Sequence, residues 1–147
     1  MLRAMPARLL RFALDDLRAA HGGAATPGTD PRLDTAPFVA FRTALLEAAA
    51  RAAAAPCHLA CWWEGTYNGY GLVVAIEPAD ALPGLDLGAV APLDDERVAP
   101  PRPDRYPLAR VEPGRAEVAR NADGTTNQAP FGAATGHFGA PGMRRIR

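Results

Sequence analysis

The chain has 147 residues and a mass of 15.5 kDa, which suits one ordinary domain, or one of about 100 residues with a long appendage, and leaves no room for a second core. Although 48% of it is hydrophobic, thirty-two residues are Ala, so large core-forming side chains are spread thinly. Sixteen Arg balance sixteen Asp plus Glu, which excludes a polybasic or histone-like protein and argues against nucleic acid as a partner, and no apolar run reaches the ~18 residues that span a bilayer.

Between Pro6 and Ala20, Leu9, Leu10, Ala13, Leu14 and Leu17 recur at a helical period, with Arg8, Arg11, Asp15 and Arg18 on the other side. The pattern predicts one amphipathic helix, closed by His21 and the glycines Gly22 and Gly23. Residues 24–36 carry turn-forming Pro, Gly, Asp and Thr and read as a loop. A second helix is expected from a cap at Asp34 or Thr35, with Pro37 tolerated in its first turn. Phe38, Phe41, Leu45, Ala48 or Ala49, and Ala52 would form its buried stripe, and Pro56 would end it.

Cys57 to Trp63 and Tyr70 to Glu77 read as strands, with Asn68-Gly69 suited to a two-residue hairpin turn. That turn pairs Trp63 with Val74 and Cys61 with Ile76 on an apolar face, and Trp62 with Ala75 and Glu64 with Val73 on the opposite one. Gly65 opposite Leu72 is the weak point of this register, a place for a bulge. Residues 79–107 show no period and end in the extended run Pro100-Pro101-Arg102-Pro103. Leu108–Glu112 and Ala116–Arg120 form a possible second hairpin about Pro113-Gly114, although Pro-Gly prefers a type II turn that splays strands. From Asn121 onward, repeated glycines rule out a sustained helix.

The expected fold class is therefore α+β: two helices on a β-hairpin or small antiparallel sheet, over residues 1–97, followed by an extended arm over residues 98–147. The arm carries eight Arg against four acids, while the rest carries eight Arg against twelve acids. A near-neutral chain thus resolves into an acidic body and a basic arm, with Arg102, Arg105, Arg144, Arg145 and Arg147 free to meet an acidic surface. An arm so rich in Pro and Gly holds a fixed course only against a host surface.

Cys57, His58 and Cys61 are the candidates for metal or thiol chemistry. On a strand the two thiols share a face but stand about 13 Å apart, and His58 points the other way, so one ion is out of reach. No helix N-terminus or adjacent positive charge is placed to activate a thiol, and because His58 projects away from its neighbour Cys57, partners such as His137 with Cys61 would have to come from elsewhere. Gly65, Gly69 and Gly71 precede no helix and so form no phosphate loop. Asn121–Asn127 has oxygen side chains at alternate positions but lacks the closing Glu of a calcium loop, where Gly132 stands. Asp94, Asp95 and Glu96 beside Arg97 read as solvated surface.

No metal or cofactor is called for. Trp62, flanked by His58 and Glu64 on the sheet face that helices do not reach, is the expected contact site, unless the arm folds over it. The sequence leads to a non-catalytic structural or adaptor subunit of a larger protein assembly, the lysine-free composition and the arm fitting a phage or phage-like particle. A small thiol- or zinc-dependent enzyme using Cys57 or Cys61 with His58 or His137 is the alternative, and an immunity-type, partner-inhibiting module the third. Two cysteines and no visible signal peptide place it in the cytoplasm or within an assembled particle, away from membranes.

Overall fold

The computed structural model describes residues 6–21, 36–66, 69–99, 107–120, 124 and 126. Its described elements run β1 (Ala7–Ala13), α1 (Leu14–His21), α2 (Ala36–Ala52), β2 (Cys57–Thr66), β3 (Gly69–Glu77), a short 3-10 turn (Ala79–Ala81), β4 (Asp94–Val98), β5 (Pro107–Glu112) and β6 (Arg115–Val118). The six strands form one antiparallel sheet in the order β4-β1-β3-β2-β5-β6, with both helices against one face. The α+β class expected from the sequence is what the chain adopts.

The first expected helix divides into a strand and a shorter helix. In β1, Leu10 and Phe12 point into the main core, whereas Leu9 and Arg11 face the other side, and all four are buried. A strand covered on both faces loses the alternation that identifies strands, and its Ala, Leu and Arg residues favour helices intrinsically. Pairing with β3 on one side and β4 on the other overrides that preference by satisfying the backbone of the segment along both edges. Only from Leu14 does the helical spacing hold, burying Leu14 and Leu17.

Helix α2 keeps the expected buried stripe but ends at Ala52, ahead of Pro56, and the expected cap residues Asp34 and Thr35 lie outside the described residues. Phe38, Phe41, Leu45, Ala48 and Ala49 are buried, Ala52 packs against the same core, and Pro37 lies in the first turn. Full burial of Phe41 and Leu45 contributes roughly 1.5–3 kcal/mol each in transfer free energy. Phe41 packs on Phe12 of β1 with ring centroids 5.0 Å apart, and Phe38 meets Trp63 of β2 edge-on at 6.3 Å, so the helix is fixed to the centre of the sheet.

The β2–β3 hairpin forms with a register two residues away from the expected one. Trp63 pairs with Leu72, Cys61 with Val74 and Leu59 with Ile76, while Gly69 lies inside β3 opposite Thr66. The connecting residues are therefore 67 and 68, both outside the described residues, and not Asn68-Gly69. A shift of two returns every side chain to its predicted face, which is why the division into faces survives. The observed register opposes Leu72 to Trp63 instead of Gly65, replacing the anticipated weak point with a large apolar pair.

Residues 107–118, counted above with the arm, extend the sheet beyond β2. The second hairpin turns at Pro113-Gly114, where Gly114 has φ 82°, the value a type II turn requires at its third position. Gly114 also donates its backbone N–H to the Ala50 carbonyl at 2.9 Å, docking the turn on the end of α2. Beyond Arg120, which bridges to Thr126, the arm lies outside the described residues, apart from Gly124. Among the described residues, no helix is long and apolar enough to cross a membrane.

Candidate functional site

Antiparallel pairing sets four ionisable side chains in a row across the sheet: Glu77 of β3 opposite His58 of β2, His58 opposite Arg110 of β5, and Arg110 opposite Glu117 of β6. One step along, Glu112 pairs with Arg115. His58 alternates with Cys57 and Leu59, which belong to the helix-side core, so the row stands on the face away from the helices. Together these side chains line an open cleft of about 600 Å3, completed by Pro56, Cys57, Pro78 and Val111.

The charges in the cleft are unevenly satisfied. Arg115 bonds Glu117 at 3.3 Å and lies 3.9 Å from Glu112, a local cluster that is self-neutralising to within one charge. His58 and Arg110 are exposed and make no hydrogen bond or ion pair with the described residues. Half-buried Glu77 has its Oε2 closed to solvent with no hydrogen-bond donor, so its other oxygen is the one left to meet a partner. A carboxylate with one oxygen desolvated and unpaired is costly, by about 1–3 kcal/mol or more, which adds weight to any contact its other oxygen makes.

A second polar cluster lies on the same face nearer the other end of the sheet. Arg11, 5% exposed, donates from Nε to Glu64 Oε2 at 3.5 Å and from Nη1 to Asp94 Oδ1 at 3.0 Å and to Glu96. Trp62 Nε1 donates to Glu64 Oε1 at 3.3 Å. Burial alone would lower the Arg11 pKa, but the hydrogen bonds to Glu96 and Asp94 and the charge of Glu64 hold it above its ordinary value. Around this network pack Leu9, Ala60, Trp62, Val73 and Ala75, with Val98 at the margin. It seats a charged side chain inside a sheet covered on both faces.

Of the residues singled out in the sequence, His58 lies in the cleft and is exposed, whereas Trp62 and Glu64 are buried and present no free contact surface. Packing of Trp62 into the small apolar cluster is the physical reason. Arg102, Arg105, Arg144, Arg145 and Arg147 lie outside the described residues, as do His137 and most of Asn121–Asn127. Cys57 and Cys61 are free and buried. Burial pushes the Cys57 thiol up to about 11 and Cys61 in the same direction, where the Arg42 charge offsets only part of the effect. Both remain protonated at neutral pH, the opposite of what a thiol nucleophile or thiolate ligand needs. Among the described residues, no three His, Cys, Asp or Glu side chains gather as metal ligands.

Asp94, Asp95 and Glu96 are exposed, as expected, but belong to strand β4 and not to a loop. Arg8 takes Asp95 bidentately at 2.9 and 2.8 Å, and this hydrogen bonding holds the Asp95 carboxyl below its usual range. The signal for β4 was charge complementarity: an acidic run able to pair across from Arg8 and Arg11. For the cleft, the residues missed were Glu77, Arg110, Glu112, Arg115 and Glu117, whose convergence depends on β5 docking beside β2. No family model, curated protein or solved structure matches the chain.

Proposed function

We propose that the chain is a non-catalytic structural or adaptor subunit of a larger protein assembly, self-associating and contacting its neighbours through the charged cleft and the basic C-terminal arm. A phage or phage-like particle is the setting proposed, from the lysine-free composition and the arm. The observation that carries the reading is the contrast between the two groups of reactive side chains. The thiols are buried and held protonated, while Glu77, His58 and Arg110 line an open cleft and find no partner among the described residues. Side chains arranged in this way suit recognition and not turnover.

The thiol- or zinc-dependent alternative has no comparable support, because Cys57 and Cys61 are enclosed and no metal-ligand group gathers among the described residues, His137 lying outside them. Sedimentation velocity of the full chain tests the proposal across about 1 to 200 µM, the range in which a micromolar contact titrates. The expected result is a mass that rises with concentration and falls back in the Arg144→Gln/Arg145→Gln/Arg147→Gln variant. A monomer throughout, with the arm resistant to protease, overturns it.

A further inference from the structure

We infer that the cleft between β3, β2 and β5 binds a partner protein segment presenting a basic side chain to Glu77 and an acidic side chain to Arg110. This rests on the proposed role as an assembly subunit and names the chemistry of its contact. The two residues stand on either side of His58, two strand spacings apart, which is about 10 Å. Opposite charges at that separation cannot neutralise each other directly, and they have not: Glu77 Oε2 is desolvated without a donor, and Arg110 makes no ion pair with the described residues.

The remaining charges of the cleft leave this pair as its points of recognition, because Arg115 already lies against Glu112 and Glu117. A free amino acid carries its ammonium and carboxylate on one carbon, too close together to serve both residues. In an extended peptide, residues i and i+2 project to the same side about 7 Å apart, and the long Arg and Glu side chains close the difference. His58 between them offers a donor or acceptor to the peptide backbone. The open, 600 Å3 form of the cleft admits such a segment from solvent.

The test uses the full chain and three acetylated, amidated tripeptides: Arg-Gly-Glu, the cation-only Arg-Gly-Gln and the anion-only Gln-Gly-Glu. Titration to about 5 mM, followed by backbone amide shifts, should give at least about tenfold tighter binding for Arg-Gly-Glu, with shifts centred on residues 58, 77 and 110. Glu77→Gln should bring Arg-Gly-Glu down to the anion-only probe, and Arg110→Gln to the cation-only probe. Arg110 is exposed, so that variant keeps the test decisive even where Glu77→Gln fails to fold. Equal binding of the three probes, shifts away from these strands, or no shift at all overturns the inference. Association in the ultracentrifuge alongside such a failure removes the peptide chemistry and leaves the assembly role. Discriminating peptide binding by a chain that stays monomeric removes the assembly role instead.

Discussion

Replacing Arg11 with Met keeps the length and apolar volume of the side chain but removes the guanidinium that lies against Glu64. Glu64 is 1% exposed, and Arg11 contributes the 3.5 Å contact to it as well as the bonds that tie β4 to β1 through Asp94 and Glu96. Breaking a buried pair by removing one partner costs about 3–5 kcal/mol, because the surviving charge stays desolvated. Against a total stability of roughly 5–15 kcal/mol this is severe, a loss of roughly 10 °C in Tm for a domain of this size. Urea unfolding of wild type, Arg11→Met, Glu64→Leu and the double variant measures it. The double variant should recover most of the loss, since apolar replacement of a whole buried pair is often neutral. A cost below about 1 kcal/mol for Arg11→Met, or no recovery in the double variant, refutes the view that these charges depend on each other.

Four further outcomes rest on the same structure. Cys57 should react with iodoacetamide about a hundredfold more slowly than an ordinary thiol at pH 8, by its pKa near 11 against 9.0, and an unfolded-like rate in native buffer contradicts its burial. Because folding raises this pKa, the associated stability is present below about pH 9 and is lost as pH climbs through about 11, visible in urea midpoints across that window. Asp95→Asn should cost no more than about 1 kcal/mol, since its carboxylate is partly exposed, and should abolish a stability contribution that in wild type is present above the ordinary carboxylate pKa and fades as pH falls through the lowered value. Gly114→Ala should cost about 1–2 kcal/mol from its φ of 82°, since open space around the site leaves no clash to add, and a neutral result in thermal unfolding contradicts the turn geometry.

The elements legible in the sequence were helix α2, covered on one side only, and strands β2 and β3, which are buried on both faces but rich in Val, Ile and aromatic residues. Helix α2 shows a clean stripe from Phe38 to Ala52, and β2 and β3 divide Trp63 from Trp62, a division that survives a register shift of two. Strand β1 was hidden because Leu9 and Leu10 are both buried, which copies a helical pattern, and Arg11 is buried among carboxylates that lie 83 to 85 residues away. Strand β4 was hidden for the opposite reason, being an exposed charged edge with no hydrophobic signal. His58 was legible as a site residue, but its neighbours Glu77 and Arg110 come from strands separated by 33 residues, and only the β2–β5 pairing brings them together. In the sequence Arg110, Glu112, Arg115 and Glu117 are four of the charges spread over residues 98–147, and only the sheet converts them into a cleft wall.

The central claim is that this chain associates through the cleft and carries out no reaction at its thiols. The most direct measurement is the weight-average mass of the wild-type chain against Arg110→Glu, which reverses one charge on an exposed strand position and leaves the core intact. The account predicts wild-type association that strengthens with concentration and an Arg110→Glu protein that stays monomeric at the same concentrations. Identical association curves for the two proteins would contradict it.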